Sequence, residues 1–393
     1  MTTTRATTGL LAAAAAILVL SAAPSAAQDA EAVAERLKAR LVEQGSNITW
    51  DSISGAGSQI VLVGVKAGPV GKEQPIGDIT LDDVSEDSDG TFRIGTASLA
   101  EYSRSKDGTD LKITGVSMTG VTMPPDDADG PLGDMMLYET AAMETLTVGM
   151  GGKQVFTLND LELEVGLPEG GNPMEFSGSA GGFFADLAAT GDPKTIQTTK
   201  ALGYEQITGS LAIEGLWQPE DGKFELSQYD ITVNDAGTLG MTVDVGGLTA
   251  EFNKKMRAIQ AEMTANPDSA NQKQGEMMAL MSTLEFRSAS IGFEDDSLTG
   301  KLIDFFAEQQ GMDRAQLVAQ AKVMAPFVVM QLGSPELATA AGEAIGKFLD
   351  DPQNITIDAT PDAPVPFSAL MQTGMTSPQD LPKQLNVTIT ANE

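Results

Sequence analysis

The chain has 393 residues, 41% of them apolar, with 24 Lys and Arg against 55 Asp and Glu, a formal net charge of −31. That balance opposes nucleic-acid binding, which rests on Lys and Arg contacts to phosphate, and electrostatic adsorption to anionic lipid, which rests on basic clusters. Cysteine and histidine are both absent, which excludes disulfides, thiolate or imidazole metal sites, and Ser-His-Asp or Cys-His nucleophiles.

The first residues carry one charge, Arg5, followed by an apolar stretch from Leu10 to Leu20 and small residues at Ser25 and Ala27. This pattern predicts a signal peptide over residues 1–27, cut after Ala27. The apolar stretch is shorter than the roughly 20 residues a membrane span takes. The expected product is exported, to the periplasm or medium of a Gram-negative bacterium, with no transmembrane span after cleavage. The remainder divides by pattern into residues 28–249 and 250–393, which are expected to share one core.

Asp29 to Gln44 reads as an amphipathic helix, with Val33, Leu37 and Leu41 every four residues, Ala30 and Ala34 beside them, and Gly45 as a stop. From Asn47 to about Leu248 period-two alternation dominates. Gln59 to Val65 is apolar at both parities, as in a central strand. Ile79 and Leu81, the Asp89-Gly90 turn, then Phe92 and Ile94 predict a hairpin. Leu111 and Ile113 share one parity, Val116 and Met118 take the other, and Val121 and Met123 return to the first. The two flips fall at Gly115 and Gly120, where an extra residue is expected to be absorbed as a bulge that bends a long strand.

Phe183 to Ala201 predicts a short helix broken at Gly191 and Pro193. Ile207, Leu211, Ile213 and Trp217 then line one strand face. After Pro219–Gly222 come Phe224, Leu226, Tyr229, Ile231 and Val233, and after Asn234–Gly237 come Leu239, Met241, Val243 and Val245. Consecutive hairpins of this kind predict an antiparallel meander.

Beyond Thr249 the period becomes helical. Phe252, Met256, Ile259 and Met263 form one stripe, and Met277, Met278, Met281 and Leu284 resume it after Asn266-Pro267. Leu284 to Phe293 returns to strand. Three helices follow: Ser297 to Gln310, one opened by a capping box of Asp313 and Gln316, and one opened by Ser334 and Pro335. Strands at Asn354–Asp358 and Leu385–Thr390 flank a proline-bearing stretch from Pro361 to Pro382.

Candidate chemistry is sparse. Ser103-x-x-Lys106 has the spacing of a serine–lysine enzyme without its companion motifs, and its setting reads as a polar turn. A carboxylate pair would suffice for glycoside hydrolysis, but only Trp50 and Trp217 are present as tryptophan sugar platforms. Ser85–Gly90 resembles the first half of a calcium loop, with Ser85 and Thr96 where the first and twelfth ligands belong. Pro124–Gly130 is also acidic and lacks a closing Glu. Both read as hairpin turns. No phosphate-binding glycine loop occurs. The expectation is therefore no catalytic residue, no metal and no cofactor.

The positive signal is apolar helix surface. Val323 to Met330 is greasy on every side and contains Pro326, and the segment from Met263 to Met281 is rich in thioether, which adapts to varied apolar ligands. Met256, Ile259, Met263, Met277, Met281, Met324 and Phe327 are the candidate ligand surface. A buried core helix accounts for the same pattern.

Phe293–Leu298, Gln309–Met312, Pro364–Phe367 and Leu381-Pro382 before Leu385–Thr388 resemble the C-terminal part of uncharacterised exported proteins of alphaproteobacteria, over about the last third of the chain. That resemblance implies a periplasmic setting and carries no activity. A helix followed by a long sheet with Gly-rich turns is also loosely similar to AsmA-type envelope proteins, implicated in lipid movement. This second likeness is one of fold pattern and transfers no residue.

These readings predict an α+β protein, in which a long, coiled antiparallel sheet is packed by an N-terminal helix and a C-terminal helical group. The expected role is non-enzymatic binding of a lipid or other apolar molecule between the curved sheet and the Met-rich helices. The alternative is a structural or interaction protein of the envelope, with envelope proteins as partners and no small ligand.

Overall fold

A computed structural model describes residues 29–393 apart from residues 44, 70, 129, 134, 169–170, 267–269 and 331–334. The expected signal peptide, Pro267, Asp129 and the Ser334 cap lie outside the described residues. No described helix is long and apolar enough to cross a membrane.

Helix α1 spans Ala30–Glu43. Asp29 caps it, its Oδ1 accepting from the Glu31 and Ala32 amides at 3.2 and 3.3 Å. Ten strands follow: β1 (Ser46–Thr49), β2 (Ser52–Ala56), β3 (Gln59–Pro69), β4 (Gln74–Asp82), β5 (Ser85–Glu86), β6 (Phe92–Lys106), β7 (Thr109–Met123), β8 (Thr140–Met150), β9 (Lys153–Gly166) and β10 (Met174–Asp186). A 3-10 turn and α2 (Pro193–Leu202) lead into β11 (Gln206–Trp217), β12 (Phe224–Val233) and β13 (Gly237–Gly246). Then come α3 (Ala250–Ala265), α4 (Ala270–Met281), β14 (Glu285–Asp295), α5 (Leu298–Gln310), α6 (Arg314–Met330) and α7 (Pro335–Asp350). The chain closes with β15 (Asn354–Ala359), β16 (Val365–Pro366), α8 (Phe367–Thr376), α9 (Leu381–Gln384) and β17 (Val387–Ala391).

The strands form one sheet of 17 among the described residues. All its pairings are antiparallel, and the order follows the chain almost throughout. Strands β1 and β2 share the outer side of β3, and β17 pairs with β15 at the far end. The expected meander over β11–β13 is part of this larger one. Tight turns between consecutive strands leave each strand no partner nearer than its sequence neighbour, which is why the sheet grows in chain order.

The parity flips on β7 are present but take a different form from a bulge. Gly115 and Gly120 have φ of +65° and +61°, left-handed values that glycine adopts without steric cost. No extra residue is inserted: β6 pairs with β7 in one unbroken register on either side of both glycines. The flip is instead shared by neighbouring strands along two lines. Gly95, Gly120 and Glu139 stand opposite one another, with Asp83 beside Gly95. Gly115, Glu144, Asp160 and Gly181 form the second line across β7–β10. Asp83 and Asp160 are themselves left-handed, at φ +54° and +50°. On each strand crossed, apolar residues three apart therefore keep to one face: Ile94 and Ala97, Met143 and Leu146, Leu158 and Leu161, Ala180 and Phe183.

Three further expectations are corrected. Phe183 and Phe184 belong to β10, and Pro193 opens α2 instead of breaking a helix, with Asp192 Oδ2 accepting from the Thr195 amide at 2.9 Å. Strand β3 buries Ile60, Leu62 and Val65, with another left-handed flip at Gly64, while Val61 and Val63 stay half-exposed. The proline-bearing stretch contains α8 and α9, each with proline at or before its first turn. The capping box is present as read: Gln316 donates its amide to Asp313 Oδ1 at 2.8 Å, and the Asp313 amide donates to Gln316 Oε1 at 3.3 Å.

Helices pack on one face of the sheet in separate places. Val33, Ala34 and Leu37 of α1 join Ile48, Leu62, Leu81, Ile94 and Met123 in the largest buried cluster. Phe252 and Met256 of α3, with Leu280 and Met281 of α4, cover Val243, Val245 and Leu284. Ala344 and Phe348 of α7 cover Phe293, Ile355, Ile389 and Ala391.

Strand β13 pairs with β14 from Gly237 opposite Asp295 to Gly246 opposite Glu285, so the sheet runs unbroken across Thr249. A chain nicked between α3 and α4 is therefore expected to elute as one species and unfold in one transition. Two stable fragments separating on size exclusion would show independent domains instead.

Candidate apolar binding face

The face that carries the helices is apolar beyond them. Met143 stands opposite Leu161, and the row continues through Ala180, Leu211, Ile231, Leu239, Phe293 and Ile355 to Ala391. It crosses nine strands with no polar residue. Beside it, Met118, Ala141, Leu163, Gly178, Ile213 and Tyr229 make a second row from β7 to β12. A third runs from Met241 through Ile291 and Ile357 to Ile389. Alternation makes this possible, because every second residue of each strand reaches the same face.

Parts of these rows face water. Leu161 is 38% exposed, Leu239 41%, Ile357 46% and Ile291 49%. Between the α1 cluster and the α3 and α7 clusters lies an open hollow of about 530 Å³. The side chains aimed into it come from Ile113, Val116, Met118, Met143, Leu161, Leu163, Leu211, Ile213 and Tyr229. Tyr229 and Glu162 are the titratable residues of the lining, and Glu162 belongs by register to the opposite face, across from Ser179 and Ala142. Contiguous exposed apolar surface of this kind marks an interaction site more often than chance.

The opposite face is hydrophilic and acidic. Glu164, Ser177, Glu214 and Gln228 form one of its rows, and Glu162, Ser179, Ala212 and Asp230 the next. The sheet is thus two-sided, with its charge on the side away from the hollow.

The seven candidate ligand residues divide between two helical layers. Met256, Ile259 and Met263 lie on α3 and Met277 and Met281 on α4, which packs on it. Ile259 is buried, and Met256 and Met281 belong to the cluster that covers the sheet. Met324 and Phe327 lie on α6, which packs on α5 and α7, and are 52% and 58% exposed. None of the seven lines the hollow. The hollow draws on strands β8, β9 and β10, whose apolar parity is present in Ala141/Met143, Leu161/Leu163 and Gly178/Ala180.

The remaining motifs are accounted for locally. Ser103 to Lys106 is strand, not turn; residues three apart in a strand point to opposite faces, so this Ser and Lys do not meet. Asp87 pairs with Arg93 at 2.6 Å. Asp89 accepts from the Thr91 amide at 3.0 Å, a bond that holds its carboxyl below the usual range. Asp126 is paired with Arg40 and Arg36 at 3.2 and 3.6 Å. Among the described residues no group of three or more His, Cys, Asp or Glu is placed to hold a metal ion.

A family model described as an uncharacterized protein matches residues 230–392, from within β12 to the end of β17. No curated protein matches the chain.

Proposed function

We propose that this is a periplasmic, non-enzymatic protein that holds a lipid or other apolar molecule on the open part of its sheet. The observation that carries the reading is the uncovered apolar hollow between the helical clusters, which a purely structural sheet would have no reason to leave facing water. In this reading the ligand lies on the strands, and the Met-rich α3–α4 pair covers the sheet elsewhere. The signal peptide predicted over residues 1–27 supports the periplasmic setting, as does the resemblance of the C-terminal third to exported proteins.

An environment-sensitive dye such as Nile red tests it. Leu161→Asp puts a charge on an already exposed side chain in the hollow, removing apolar contact and adding a desolvation cost. The expected result is dye binding weakened by about tenfold or more with the melting temperature little changed. Glu164→Gln on the opposite face should leave binding as it was. Equal binding in all three proteins would place the dye elsewhere.

A second reading is favoured by α6, where Val323, Met324, Phe327 and Met330 are 65%, 52%, 58% and 50% exposed. An envelope interaction protein with no small ligand would use that helix to meet a partner. A protein that binds no dye would favour this reading.

A further inference from the structure

The apolar face ends in a row of cations. From Ile113 at the edge of the hollow it continues along β7 and β8 to Leu111, the two standing opposite Leu146 and Val148. At the hairpin tips Lys106 stands opposite Thr109, Thr109 opposite Met150, and Met150 opposite Lys153. Arg104 is one step inward, opposite Leu111. Cross-strand partners share a face, so Arg104, Lys106 and Lys153 lie on the apolar side. The Gly151 amide donates to the Gly108 carbonyl at 3.0 Å, tying the two tips together.

These three cations are exposed and form no ion pair among the described residues. Of the acids nearby, two are occupied on the other face: Glu101 pairs with Lys112 at 3.1 Å, and Asp110 accepts from the Ser105 hydroxyl. Asp107 lies in the turn itself, so three cations stand against one acid at the tips. In a chain of net charge −31, cations free of acid partners at the end of an apolar track are a local reversal of field. The lining of the hollow itself offers no cation to an anionic head. From Met118 in the hollow to Thr109 at the tip is about 30 Å of strand at 3.4 Å per residue, enough for a long hydrocarbon chain laid along the strands.

We propose that the ligand is an anionic amphiphile, its tail in the hollow and its phosphate or carboxylate head held at the tips by Lys106, Lys153 and Arg104. The assignment rests on the apolar face being the ligand surface. Displacement of Nile red by dodecyl phosphate, dodecanol and inorganic phosphate separates the two ideas. Dodecyl phosphate should displace the dye at about tenfold lower concentration than dodecanol, the scale of two exposed ion pairs. That advantage should shrink at high salt and vanish in Lys106→Glu/Lys153→Glu, with dodecanol displacement and the melting temperature unchanged. Equal potency of the two dodecyl compounds in the unaltered protein would overturn the headgroup assignment and leave the apolar face standing. Displacement by inorganic phosphate alone, or equal weakening of both compounds in the double variant, would also overturn it. Failure of the dye to bind, or of either compound to displace it, would remove the apolar-face reading and this assignment together.

Discussion

Replacing Gly115 by valine is expected to lower stability by about 3 kcal/mol. A β-branched residue at φ +65° costs roughly 1–2 kcal/mol in left-handed strain alone. The new Cβ would also stand 2.7 Å from the Cβ of Glu144 on the neighbouring strand, an overlap that a rotamer change cannot remove because both atoms are fixed by the backbone. Overpacking of this kind adds about 1–3 kcal/mol. Gly45 is the control: it is also left-handed, at φ +83°, but nothing lies within 4 Å of its would-be Cβ. Gly45→Ala should cost only about 1 kcal/mol of strain. Urea unfolding of the two variants measures the difference. Equal small losses would mean that the fold line tolerates a side chain and does not govern the sheet.

Arg40→Ala is expected to cost a similar amount, about 3 kcal/mol, for a different reason. Arg40 is 1% exposed, and its Nη2 donates to the Pro124 and Pro125 carbonyls at 2.8 and 3.0 Å. Arg36, one turn earlier on α1, reaches the same Pro124 carbonyl at 2.8 Å and lies over the Phe92 ring. Hydrogen bonds from a charged donor are worth about 1.5–3 kcal/mol each. Arg40 makes two, and although Arg36 stays on the Pro124 carbonyl and the Ala128 amide on the Pro125 carbonyl, both charged bonds are lost with it. The exposed Asp126 adds little, since exposed ion pairs contribute at most about 1 kcal/mol. Arg40→Lys should recover part of the loss, because an ammonium cannot span the carbonyls as the planar guanidinium does. A loss below about 1 kcal/mol in denaturant titration would show that apolar packing alone holds α1.

The sequence carried the local rules of this fold better than their alignment. Val33, Leu37 and Leu41 announced α1, and Phe224 to Val245 announced a meander, because period and turn residues are read within a few positions. The flips at Gly115 and Gly120 were visible on one strand. Their sharing with Asp83, Gly95, Glu144 and Asp160 was not, since that depends on the register of several hairpins at once. For the same reason the continuous row from Met143 to Ala391 could not be seen: its members are about 250 residues apart in sequence and meet only through eight pairings. Methionine richness marks α3, α4 and α6 in the sequence. The structure spends Met256 and Met281 on covering the sheet and leaves the hollow to Leu, Ile, Val and two methionines of β7 and β8, whose period-two pattern looks like ordinary core.

Mass spectrometry of the protein purified by gentle extraction tests the central claim most directly. The account predicts a lipid or other amphiphile co-purifying at close to one molecule per chain in the unaltered protein, and strongly depleted in Leu161→Asp. Bare protein in both, or equal lipid in both, would contradict it.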